Sequence, residues 1–190
     1  MTIPTARPRH VRGARHDGPM TWTAPPVTRP EGPLTAGERA MVEDFLAWQR
    51  ATLLHKCTGL TGDQLAQRSI AYTGLSLLGL IRHLSKVERI WFRERFAGQP
   101  VERLYSTETW KDADFEDLHP RRAEADYGRF LEECRLADEA VADAALDDTF
   151  TLNGEPASLR MIYLHMIEEY ARHNGHADLL REGIDGVTGE

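Results

Sequence analysis

The chain has 190 residues, 41% of them apolar and 28% charged, a length and balance that suit one soluble globular domain with a tail. Its formal charge of −7 is uneven: residues 1–35 hold Arg7, Arg9, Arg12, Arg15 and Arg29 against Asp17 and Glu31, so the remainder carries −10 and lacks the basic face of a nucleic-acid-binding domain. Cys57 and Cys134 do not have the spacing of a disulfide framework and fit a reduced, cytoplasmic setting; no run of 18 apolar residues is present to span a membrane, and the N-terminus has no apolar signal core.

Seven of the ten prolines precede residue 35, and proline removes a backbone donor while fixing φ, so residues 1–34 are expected to form a disordered or extended arm. Met20, opening MTWTAPPV, is an alternative translation start. Residues 35–190 then form the folded domain.

The first predicted helix starts near Thr35, with Glu38 placed to close a capping box, and ends before Gly59. Met41, Val42, Phe45, Leu46, Trp48 and Leu53 are its expected inward residues. A second helix spans about Ser76 to Phe96 and stops at Gly98, with Leu77, Leu80, Ile81, Leu84, Val87 and Trp91 inward and Gly79 allowing a close neighbour. Residues 99–119 make a long acidic connection containing Tyr105, Trp110 and Phe115, a length that favours a lid or another functional role. A third helix covers roughly 122–145, with Tyr127, Phe130, Leu131, Cys134, Ala137 and Val141 inward. Asn153-Gly154 marks a turn between two short extended pieces. A fourth helix runs from near Ser158 to about Glu182, with Gly183 beyond it. Four long helices without a strong strand pattern predict an all-α helix bundle.

The fourth helix carries EEYARHNGHADLLRE, residues 168–182. At about 100° per residue from His165, the apolar Leu159, Ile162, Met166, Tyr170, Ala177, Leu180 and Ile184 fall between roughly 60° and 140°. His173, near ~80°, lies inside that stripe; Glu169, near ~40°, borders it; His176 and His165 lie further toward the flank. Glu169 and His173, one turn apart, therefore point inward together. An ionised carboxylate in a low-dielectric interior is costly unless it is paired or binds a metal. Carboxylate and imidazole donors at this spacing suit a divalent ion in a bundle core.

The second helix offers His83 as a third donor, beside its apolar stripe. His83, Glu169 and His173 make the His₂Glu type of catalytic zinc, and nickel or iron is compatible with the same donors. A plain hydrogen-bonded Glu169–His173 pair is the competing explanation. Glu88, near the centre of the second helix's stripe, competes as a ligand, as an acceptor for an imidazole N–H, or as an ion-pair partner such as for Arg172. His165 and His176 are assigned to the pocket around the site. His55 is peripheral, His10, His16 and His119 lie in poorly structured stretches, and the two cysteines are small apolar fillers.

GLIRHLSKVERIWF in the second helix and HMIEEYARHNGHADLLRE in the fourth resemble the DinB-like superfamily, and within it the actinobacterial branch of mycothiol-dependent transferases, formerly a domain of unknown function. The resemblance covers about residues 36–185, and MTWTAP is similar to the opening of many such chains. It implies a four-helix bundle of up-down-down-up topology. It also implies a divalent metal held by one residue of the second helix and two of the fourth, here His83, Glu169 and His173. Many members use three histidines; a glutamate as the first ligand of the last helix is the pattern of the mycothiol-dependent maleylpyruvate isomerase. The chain lacks that enzyme's additional C-terminal domain, so the resemblance does not extend to that reaction. The implied activity is metal-assisted transfer of the thiol mycothiol to an electrophilic small molecule, in detoxification or natural-product tailoring. A metal-dependent hydrolase and a non-catalytic metal- or ligand-binding module use the same donors. A homodimer through an apolar helix face is compatible with the sequence and is not decided by it.

Overall fold

The computed structural model describes residues 22–188, and these are mostly helical. Residues 22–34 contain no helix. Thr23 forms an antiparallel bridge with Thr61, the Ala24 N–H donates to the Leu60 carbonyl at 2.9 Å, and Trp22 packs edge-on against Tyr127 at 5.8 Å. The rest of the expected arm, with His10, His16 and Met20, lies outside the described residues.

Helix α1 spans Glu38–Cys57 and buries Leu46, Leu53, Leu54 and Cys57. The capping box expected at Thr35 does not form: Gly37 precedes the helix without a side-chain cap. Glu38 is committed elsewhere, accepting from Arg160 Nε at 2.6 Å across to the last helix. The capping box appears instead at Thr61 and Gln64, which start the short helix α2, Gly62–Ala66, an element with no counterpart in the sequence reading. Phe45 and Trp48, expected inward, are 49% and 38% exposed. They line a groove beneath residues 27–34, where the Arg29 guanidinium lies over the Trp48 ring.

Helix α3, Leu77–Glu88, is capped by the Ser76 hydroxyl and buries Leu77, Leu80, Ile81, Leu84 and Val87. It continues as a π-helical segment, Arg89–Phe96, up to Gly98. This segment corrects one inward residue: Phe92 is fully buried and Trp91 only half-buried. Wider i→i+5 turns rotate the later residues back, so the position after Trp91 falls over the core.

The 99–119 connection contains a single helical turn, α4, Ala113–Glu116. A 3₁₀ turn at Pro120–Arg122 leads into α5, Ala123–Val141, which buries Tyr127, Phe130, Ala137 and Val141 but leaves Leu131 half-exposed. Strands β1, Thr149–Leu152, and β2, Glu155–Ser158, pair antiparallel across Asn153 and Gly154. Both turn residues have positive φ, 53° and 89°, which the Asn-Gly pair tolerates.

Helix α6, Leu159–Asp185, is capped by Ser158 and outlasts the expected end. Gly183 lies inside it, against Ser69, and the left-handed stop is Gly186. Helices α1 and α6 pack together, and α3 packs on both α5 and α6. Leu53, Leu84, Phe130, Met166 and Tyr170 lie in their common apolar core. Among the described residues no helix is long and apolar enough to cross a membrane.

Candidate metal centre

The polar residues of α6 break the apolar pattern where that helix faces α3. Tyr170 and Ala177 are buried on either side of His173, itself 8% exposed, while Glu169 is half-buried at the edge of the stripe. His83 comes from the facing turn of α3, between the buried Ile81 and Leu84. The two helices bring one donor atom from each of His83, Glu169 and His173 to within 4.8 Å of one another. His83 Nε2 lies 3.2 Å, and His173 Nε2 3.3 Å, from the same oxygen, Glu169 Oε1. This set can hold a divalent cation: two imidazoles and a carboxylate, converging from two helices and only partly open to water.

The electrostatics follow from that convergence. Hydrogen bonds from His173 and His83 hold the Glu169 carboxyl far below its ordinary range, against the opposing effect of burial. Burial pushes the His83 imidazole down, but its hydrogen bonds to Asp114 and Glu169 outweigh this and raise it. His176 is lowered by burial and by the neighbouring His173.

Asp114 is the residue that sequence reasoning missed. It sits on α4, is fully buried, and its Oδ2 lies 2.8 Å from His83 Nδ1 and 2.5 Å from Lys86 Nζ. The next residue, Phe115, stacks on the His83 ring at 4.9 Å with 30° between planes. Gly79 makes room for it: a Cβ there would stand 3.0 Å from the Phe115 ring. The run DADFED signalled acidity. A single turn of helix has too little periodicity to say which carboxylate faces inward.

The other expected residues separate. His176 adjoins the centre, with its Nδ1 3.3 Å from His173 Nδ1. His165 instead packs on Trp91 at 4.3 Å, and the Arg95 guanidinium covers the other ring at 4.2 Å. Glu88 does not join the donor cluster: both its oxygens bind Arg50, and Oε1 also accepts from Tyr170. Arg172, one of its anticipated partners, pairs with Glu168 and reaches Glu169 Oε2 at 3.8 Å. His55 Nδ1 donates to the Val27 carbonyl, and His119 lies 3.1 Å from Asp117, both away from the centre. Cys57 is buried, and burial pushes its thiol up to about 12; burial also raises Cys134, beside Glu88 and Tyr170.

Two cavities frame these elements. One of about 850 Å³ lies between residues 27–34 and α1 and shares no residue with the donor cluster. Another, about 500 Å³, is lined by Arg68, Leu75, Asp112, Phe115 and Glu116, of which Phe115 stacks on His83.

No curated protein and no solved structure matches the chain. The family model described as Mycothiol-S-transferase matches residues 41–186. That match runs from the first turn of α1 through the end of α6 and takes in all three converging donors, so the chain belongs to the mycothiol S-transferase family.

Proposed function

We propose that this protein is a metal-dependent mycothiol S-transferase whose divalent cation, zinc in preference to nickel or iron, is held by His83, Glu169 and His173. The observation that carries the reading is the sharing of Glu169 Oε1 by two imidazole nitrogens at 3.2 and 3.3 Å. With metal–ligand distances of about 2.0–2.1 Å and tetrahedral angles, neighbouring donor atoms stand about 3.3 Å apart. Charge-assisted hydrogen bonds are usually shorter, about 2.7–2.9 Å. Two of the three donor pairs meet that spacing and all three donors lie within 4.8 Å, which supports a common centre.

The chemistry such a cation supplies is charge, which lowers the pKa of a thiol brought to the site. The protein's residues do the rest. A set of one carboxylate and two imidazoles would leave a coordination position for a thiol. Phe115, stacked on His83, covers one face of that ring, restricts water there and offers an apolar face to an electrophile. Transfer forms one sulfur–carbon bond as the carbon's bond to the displaced group breaks, that group departing with the electron pair and the thiol proton passing to solvent or to it. An external thiol is needed because both cysteines of the chain are held protonated by burial.

The same reading takes residues 35–190 as a DinB-like bundle, α1, α3, α5 and α6 running up-down-down-up, in a cytoplasmic enzyme. It is tested by incubating zinc-loaded protein with mycothiol and a generic chloro-aromatic electrophile. Conjugation well above that of the metal-stripped protein, and lost in His83→Ala, is expected. Equal rates with and without metal would overturn it.

A further inference from the structure

We propose that Asp114 is a positioning residue that fixes the His83 ring, so that Nε2 stays directed at the point where Glu169 and His173 converge. The inference rests on the metal reading above and concerns a carboxylate that the reading does not use. A carboxylate at 2.8 Å from His83 Nδ1 only accepts, so Nδ1 carries a proton there and Nε2 is the nitrogen left to meet a cation. That is the nitrogen aimed at Glu169 Oε1.

Asp114 is itself held. Lys86 Nζ lies 2.5 Å from the same Oδ2, offsetting the cost of its burial. Arg82 donates from Nε to the Asp114 carbonyl and from NH2 to the Ala113 carbonyl, both at 3.0 Å. Arg82 is braced in turn by Asp126 at 3.3 Å and by the Tyr105 ring at 4.0 Å. Three consecutive residues of α4 thus grip Arg82 and His83. Asp114 holds one edge of the imidazole, and Phe115 covers one face.

His173 is treated differently, because its Nδ1 faces the imidazole of His176 rather than a carboxylate. The two histidine donors therefore differ in basicity, with His83 the one strengthened by a negative partner.

The test uses the full chain and zinc or cobalt(II) alone, with affinities from competition against a chromophoric chelator. Asp114→Ala is expected to weaken zinc by about 10–100-fold, the usual effect of losing such a partner, and Asp114→Asn by less, since the amide oxygen still accepts. Lys86→Met removes an anchor of α4 while keeping the acceptor. It should lower the unfolding temperature yet hold zinc affinity within threefold of wild type. Unchanged affinity in Asp114→Ala overturns the proposal, and so does a Lys86→Met loss as large as that of Asp114→Ala, which would mean simple anchoring. Nitrogen NMR of the metal-free protein supplies a reading independent of metal. A proton on His83 Nδ1, hydrogen-bonded to Asp114, should be seen in wild type and lose that bond in Asp114→Ala; a wild-type Nδ1 without a proton overturns the proposal. Failure of wild type to bind either cation, with the Nδ1 proton as expected, would instead overturn the metal reading alone.

Discussion

Arg50 and Glu88 meet across the interior as a two-pronged ion pair, Nε on Oε1 and NH2 on Oε2, each at 2.7 Å. Tyr170 adds a third hydrogen bond to the same carboxylate, so one buried group ties α1, α3 and α6 together. Breaking such a pair from one side leaves an uncompensated charge in the core. Glu88→Leu should therefore cost about 3–5 kcal/mol in urea unfolding. The double variant Arg50→Met/Glu88→Leu should recover part of that loss. A Glu88→Leu protein as stable as wild type would show that Asp138, 2.8 Å from Arg50, suffices to compensate its charge.

A second buried carboxylate makes stability depend on pH. Glu133 is fully buried and bound by Arg89 and Arg93 of the π-helical segment. Burial raises its carboxyl, but the hydrogen bonds and charges of the two arginines outweigh this and place it below its ordinary 4.5. A depressed folded-state value stabilises the protein above the unfolded value, and that contribution is lost as pH falls through the folded one. The stability gap between wild type and Glu133→Gln should be full at pH 7 and close progressively below about pH 4.5. Denaturant midpoints measured at pH 7, 4 and 3 check this; a gap that widens on acidification would contradict it.

Cation binding should register as stability. Zinc at 100 times its Kd adds about 2.7 kcal/mol to a folded state that alone binds it. Wild-type protein should melt several degrees higher with zinc, and a chelator should reverse the shift. His83→Ala, Glu169→Gln and His173→Ala should show little or none of it. Calorimetry that finds the same zinc shift in all four proteins would remove these residues from the site.

Gly62 tests the packing between α2 and the 3₁₀ turn. A Cβ there would stand 2.2 Å from the Pro120 carbonyl oxygen, a backbone atom that cannot swing aside. Gly62→Ala should cost about 1–3 kcal/mol despite alanine's better helix propensity. Gly128→Ala, in α5 with open space around it, should be neutral or stabilising by up to about 1 kcal/mol. Thermal unfolding of the two variants side by side gives the comparison.

Much of this protein is written in local periodicity. Ser76 and Ser158 mark the starts of α3 and α6, Asn153-Gly154 marks the hairpin, and the apolar stripe of α6 puts His173 inside with Glu169 at its border. These features depend on residues within a few turns of one another, so the chain carries them without reference to its fold. Where a boundary depended on a distant partner, local signals misled. Thr35 lost its capping role because Glu38 is drawn to Arg160, and Gly183 packs against Ser69 while Gly186 ends the helix.

By itself the sequence determined the helical class, the turn of the hairpin and which face of α6 carries Glu169 and His173, because backbone geometry repeats every few residues. Only the tertiary structure decided that Glu88 belongs to Arg50, that Phe92 replaces Trp91 in the core, and that Asp114 reaches His83 from 31 residues away. Those pairings join segments with no fixed spacing along the chain. Which charge meets which is settled by packing, when burial forces each polar group to find whatever partner the fold has placed beside it.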